Sequence, residues 1–146
     1  MSNAFTITRV FDAPRERVWQ EWTEPERFAD WFGAEGEVPL ATVSMDVREG
    51  GEWRLTMFYG PNRVESNWHG RYQEVVPPER LVLTMTDLPE GGDRYALITV
   101  VLTDLGDGRT EMHFEQRDDQ TPAQQKAAGA GLGKFFDRID SRLLGP

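Results

Sequence analysis

His69 and His113 are the only side chains in this chain that would titrate near neutral pH without help from their surroundings. A general base or a metal ligand is the chemistry they offer. Each sits in a strand-like run, opposite the apolar phase: His69 with Asn67 and Arg71, His113 with Glu111 and Glu115. Neither has a second ligand at a useful spacing, so both read as solvated strand histidines. Asp104, Asp107, Asp118 and Asp119 are acids of the kind that act in pairs on glycosides. They fall at turns or at a helix start, where the expectation is a solvated loop carboxylate. Cysteine is absent, which removes thiolate, disulfide and zinc–cysteine chemistry. Gly50-Gly51 reads as a hairpin turn, not a phosphate cradle. No Ser/His/Asp set can be nominated, so the catalytic set stays empty and no metal or cofactor is implied.

Arg9 shares a strand face with Phe5, Ile7 and Phe11, which points it inward. A buried guanidinium needs a partner. An acidic ligand would serve, but an ion pair within the fold is the favoured reading. Trp31, Trp53, Trp68 and Tyr72 form the aromatic set. Rings in strand phase are more often plain core, yet their N–H and O–H groups could also orient a ligand in an apolar pocket.

The whole chain narrows the field further. Its net charge of −9 argues against phosphate-backbone binding and against anionic membrane surfaces. No apolar run approaches transmembrane length and no signal pattern opens the chain, so a cytoplasmic protein is expected. A length of 146 residues fits one domain, 1–146.

The elements that must position these side chains follow from periodicity. Met1 to Ala4 read as an unstructured leader. Phe5 to Phe11 alternates as a strand. Asp12-Ala13-Pro14 opens a short helix, with Asp12 or Ala13 near the cap and Pro14 in the first turn. Thr23-Glu24-Pro25-Glu26 reads as a capping box for a second helix that ends at Gly33. A loop is expected over 34–41 and a strand over 42–48. Further strands are expected over 52–59, 64–76, 81–85, 94–103 and 110–117. Thr121-Pro122 then opens a long helix in which Leu132, Phe136, Ile139 and Leu143 share a face. The fold class is therefore α+β: a curved antiparallel sheet of about seven strands around a long C-terminal helix, with two short helices after the first strand.

These residues resemble a known family. Arg9-Val10-Phe11-Asp12-Ala13-Pro14 with Val18-Trp19, then Thr23-Glu24-Pro25-Glu26 and Trp31-Phe32, resemble the opening of START-like (SRPBCC) proteins. Asp46 to Arg54, Gly70 to Val75, and Pro78-Glu79-Arg80-Leu81-Val82 continue the likeness over nearly the whole chain. The branch resembled is the C-terminal domain of the activator of heat-shock protein 90 ATPase. The resemblance implies a helix-grip fold with an internal cavity, but no single activity. Its members bind lipids, hormones or hydrophobic metabolites, and some catalyse cyclisation or condensation. Where the family's last helix often carries Gly-Trp, this chain has Gly131-Leu132, a smaller side chain in place of a ring.

That helix holds Gly129, Gly131 and Gly133, which together cost about 3 kcal/mol against alanine. At 100° per residue, Gly129 and Gly133 fall near Phe136 on the buried face and Gly131 points away. The expectation is a cavity beside Gly129 and Gly133. The alternatives are a gap filled by Trp53 or Trp68, or a helix that starts only after Gly133. The ligand-binding set is Trp31, Trp53, Leu55, Trp68, Tyr72, Met85, Gly129, Leu132, Gly133 and Phe136.

In order of preference, the functions expected are binding of a small hydrophobic or aromatic molecule, a cyclase- or hydrolase-like enzyme acting on one, and a chaperone-associated interaction module. The enzyme would need Tyr59, Tyr72 or Glu74, none of which has an evident activating partner. The protein would work as a monomer or homodimer.

Overall fold

In the computed structural model, which describes residues 3–33, 36–88 and 94–144, the first strand β1 runs Asn3–Phe11. It starts earlier than expected. Asn3 and Ala4 are not leader but pair with Asp118 and Arg117, and Asn3 Nδ2 donates to Gln120 O at 2.8 Å. Met1 and Ser2 lie outside the described residues. Two short helices follow, α1 (Arg15–Thr23) and α2 (Pro25–Trp31). Then come a 3₁₀ turn at Leu40–Thr42 and the strands β2 (Ser44–Met45), β3 (Glu52–Tyr59), β4 (Val64–Val76), β5 (Arg80–Met85), β6 (Ala96–Asp104) and β7 (Thr110–Asp118). The long helix α3 (Pro122–Leu144) ends the order.

The sheet is antiparallel in the order β1-β7-β6-β5-β4-β3-β2. Alternation sets its concave face. Phe11, Trp53, Leu55, Met57, Tyr72, Leu83, Ile98, Val100, Met112 and Phe114 are buried beneath the helices. One bulge, between Tyr72 and Glu74, skips a residue so that Tyr72 and the partly buried Val75 both join the core.

The helix starts differ from the capping expected. At α1 the cap is Pro14, whose carbonyl accepts from Arg17 N and Val18 N, and no side chain caps. At α2 the cap is Glu24, again without a side-chain bond. Thr23 is spent elsewhere, because its hydroxyl donates back to Trp19 O at 2.9 Å as the last residue of α1. Pro25 does occupy the first turn. The start of α3 is the true capping box: Gln124 N donates to Thr121 Oγ1 at 3.2 Å, and Thr121 N donates to Gln124 Oε1 at 2.8 Å. The strand expected over 42–48 shrinks to two residues. Arg48 N closes back on Asp46 O and Gly51 N on Arg48 O, which curls the chain off the ladder. Glu37, in the expected loop, forms a bridge with Phe58.

Helix α3 packs along β1, against α1 and α2. Its second half closes the core: Phe136 and Ile139 are fully buried, and Phe136 meets Phe114 edge-on at 5.2 Å. Trp22, Phe28 and Trp31 fill the space between the short helices and that half of α3.

Candidate functional site

The first half of α3 is not packed in the same way. Ala128, Gly131, Leu132 and Phe135 face a cavity of about 590 Å³ between the helix and the sheet. Every strand from β3 to β7 contributes to its lining, through Met57, Trp68, Met85, Ala96, Gln116 and Asp118. Phe32, just after α2, forms the inner wall. Its ring meets Phe135 at 5.5 Å and Trp68 at 5.9 Å, and this aromatic layer separates the cavity from the closed core.

The lining is apolar at its base and polar at its rim. Asp87, Arg94, Asp119, Gln120 and Gln124 surround the rim. Trp68 Nε1 is buried and has no hydrogen-bond partner among the described residues. Asp118, only 6% exposed, accepts three hydrogen bonds: from Gln116 Nε2 (2.9 Å), Gln125 Nε2 (2.8 Å) and Gln120 N (3.0 Å). It is not the solvated loop carboxylate expected. It ends β7 on the inward face, in phase with Met112, Phe114 and Gln116.

The cavity lies elsewhere on α3 than the glycine pattern placed it. The helix is continuous, and the face of Gly129 and Gly133 meets β1. A methyl on Gly129 would sit 3.6 Å from the Phe5 ring, and one on Gly133 would sit 3.8 Å from the Arg9 guanidinium. Phe5 and Arg9 take the space, not Trp53 or Trp68. Arg9 is anchored within the fold, donating to Gly133 O at 3.0 Å and pairing with Asp137 at 2.8 Å. Gly131, the glycine expected to point away, is the one that opens the cavity: a methyl there meets nothing within 4 Å. The error came from taking Phe136 as the centre of the buried face; the cavity stripe lies to one side of it.

Of the ligand-binding set, the structure gathers Trp68, Met85 and Leu132 at the cavity. Trp31 and Phe136 are closed core, and Trp31 Nε1 donates to Glu21 O at 2.7 Å. Trp53 and Tyr72 border a separate hollow over β3, β4 and β5 with Arg54, His69 and Arg71. Leu55 borders another, beside Trp68 and Asn67. Gly70 explains how Trp53 is held. Its missing side chain lets the Trp53 indole cross β4 and donate to Thr84 O at 3.0 Å; a methyl on Gly70 would lie 1.8 Å from that oxygen.

Tyr59, Tyr72 and Glu74, the groups that an enzyme reading would need, are not at the cavity. Tyr59 is 45% exposed, and Glu74 pairs with Arg80 at 2.6 Å. Burial, reinforced by Asp46, pushes the Tyr72 hydroxyl far above the ordinary tyrosine value, so it stays neutral. His69 Nε2 lies 2.6 Å from Leu88 O, and His113 Nδ1 lies 3.1 Å from Thr8 Oγ1. Among the described residues no cluster of His, Asp and Glu could hold a metal ion. Nor, among the described residues, is any helix long and apolar enough to cross a membrane.

Periodicity did not flag the buried polar knot behind the short helices. Glu21 on α1 is fully buried; Arg142 Nε donates to its Oε1 at 2.6 Å, and Arg27 Nη1 lies 3.5 Å from its Oε2. Arg142 also bonds Asp30, tying the end of α3 to α2.

A seven-stranded antiparallel sheet gripping one long helix, with a cavity under the helix's first half, defines a START-like helix-grip protein. The chain belongs, over residues 12–143, to the family described as activator of Hsp90 ATPase homolog 1-like protein. Solved structures share the fold. A Chromobacterium violaceum protein is 23% identical, with a TM-score of 0.81 and 99% of each chain covered. A Rhizobium leguminosarum protein is 26% identical, with a TM-score of 0.77 and coverage of 97% of this chain and 93% of that one. A Plasmodium falciparum Hsp90 activator is 15% identical, with a TM-score of 0.72 and coverage of 98% and 97%. Among curated proteins nothing matches.

Proposed function

We propose that the protein, acting as one START-like unit of residues 1–146 in the cytoplasm, binds a small apolar or aromatic molecule beneath the first half of α3. The observation that carries this reading is the cavity itself: about 590 Å³, floored by rings and methionines, with the buried Trp68 N–H left unpartnered. Pockets for small molecules are typically of this size and this mixture of apolar walls with few polar groups. A buried donor without a partner costs about 1–3 kcal/mol, which a ligand's acceptor atom or aromatic face would offset in part. Leu132 supports the same reading, because a larger side chain at its position would fill the space. Binding is favoured over turnover because Tyr59, Tyr72 and Glu74 stand away from the cavity.

Thermal unfolding with 2-naphthalenemethanol tests this. A ligand at 100 times its Kd adds about 2.7 kcal/mol, roughly 6–10 °C in Tm for a chain of this length. Wild type should shift and Leu132→Trp should not. An equal shift in both proteins, or no shift with any apolar probe, would count against the cavity.

The family's description and the likeness to the Plasmodium Hsp90 activator favour a second reading, a chaperone-associated module. A rise in the ATPase rate of purified Hsp90 on adding the protein would support it; an unchanged rate would not.

A further inference from the structure

We infer that the ligand is a cation: a small amine, or similar organic cation, with an aromatic or apolar body. The inference rests on the binding reading above and names the ligand's charge.

Asp118 carries it. Its carboxylate lies at the cavity and is almost wholly buried, yet its three hydrogen-bond donors, two side-chain amides and one backbone N–H, are all neutral. They orient the anion without cancelling its charge. Elsewhere this fold pairs its buried or half-buried charges with opposite ones: Glu21 with Arg142, Arg9 with Asp137. A buried anion normally finds a cation. Among the described residues Asp118 has none, and the space beside it is the cavity.

At the rim Asp87 adds a second carboxylate, with the guanidinium of Arg94 in the same lining. Trp68, Tyr95 and Phe135 add aromatic rings to the lining, and the face of such a ring attracts a cation. The chain's net charge of −9 draws cations toward it and opposes anions. A fatty acid or other carboxylate would bring a like charge to Asp118.

Calorimetric titration of the full chain at pH 7 with three matched probes tests this: 2-naphthylmethylamine, 2-naphthalenemethanol and 2-naphthoate. Wild type should bind the amine about tenfold more tightly than the alcohol, and the naphthoate most weakly, as charge-assisted bonds and cation–π contacts imply. Asp118→Asn should bring the amine affinity close to that of the alcohol measured on the same variant. Because Asp118 also holds Gln116 and Gln125, Asp87→Asn at the rim provides a second variant, expected to lower amine affinity about two- to threefold. An alcohol that binds as well as the amine would overturn the charge inference and leave the binding reading standing. A preference for the amine that survives both substitutions would overturn the role of these carboxylates. If none of the three probes binds, the binding reading falls, and this inference with it.

Discussion

Glu21 and Asp118 are both buried carboxylates, and their different company gives them different roles. Glu21 is held by Arg142 and flanked by Arg27, so it joins three helices. Removing one partner of such a pair strands the other, so Glu21→Ala should destabilise by about 3 kcal/mol in urea unfolding. Glu21→Gln keeps an acceptor for Arg142 Nε and should cost less. Asp118 faces the cavity, so its substitution should be read in ligand binding. Leu132→Trp belongs to the same scale: its ring should enter the cavity and weaken a naphthalene probe by about tenfold or more, while urea unfolding shifts by less than about 1.5 kcal/mol because open space receives it. Asp118 was within reach of strand parity, since it stands two and four residues from Gln116 and Phe114 on the same face. Its neighbours Asp119 and Gln120 drew it into the turn instead. Trp68 and Leu132 were legible from phase and from the missing ring. Glu21 was not, because its partner lies 121 positions away and no local pattern marks the pair.

At the scale of the element, the glycines of α3 and of β4 make opposite predictions. A methyl at Gly131 meets open space, so Gly131→Ala should stabilise the ligand-free protein by roughly 0.5–1 kcal/mol through helix propensity. A methyl at Gly70 would overlap the Thr84 carbonyl and crowd the Trp53 indole, so Gly70→Ala should cost more than about 3 kcal/mol. Urea denaturation of the two variants beside wild type checks both. The helical period of α3 was plain from Leu132, Phe136, Ile139 and Leu143, and Thr121-Pro122 marked its start. Which side of that stripe met β1 and which met empty space depended on how the sheet curls, and local periodicity holds no record of that. The same limit explains β2: Val43, Met45 and Val47 alternate correctly, but the tight turn of Asp46 to Gly51 stops the ladder after Met45.

Over the whole molecule, the order of elements and the helix-grip architecture were readable because most strands alternate, β5 is a short apolar run, and the turns carry Gly, Pro or Asp. The cavity was legible as a possibility and mislocated by about half a helical turn. The gap between β3–β7 and the first half of α3, with Phe136 and Ile139 sealing the second half, divides the interior into a packed aromatic core and an open cavity. The core and the cavity meet at Phe32, Phe135 and Trp68, so a bound guest should be felt at that layer and little beyond it. Nuclear magnetic resonance of the indole N–H groups during titration with 2-naphthalenemethanol tests this most directly, since the five tryptophans sample both compartments. The Trp68 indole resonance should move, together with the Gly131 amide, while Trp22 and Trp31 in the closed core stay within small shifts. Movement confined to Trp22 and Trp31, or no movement at Trp68 as the probe saturates, would contradict a ligand site beneath α3.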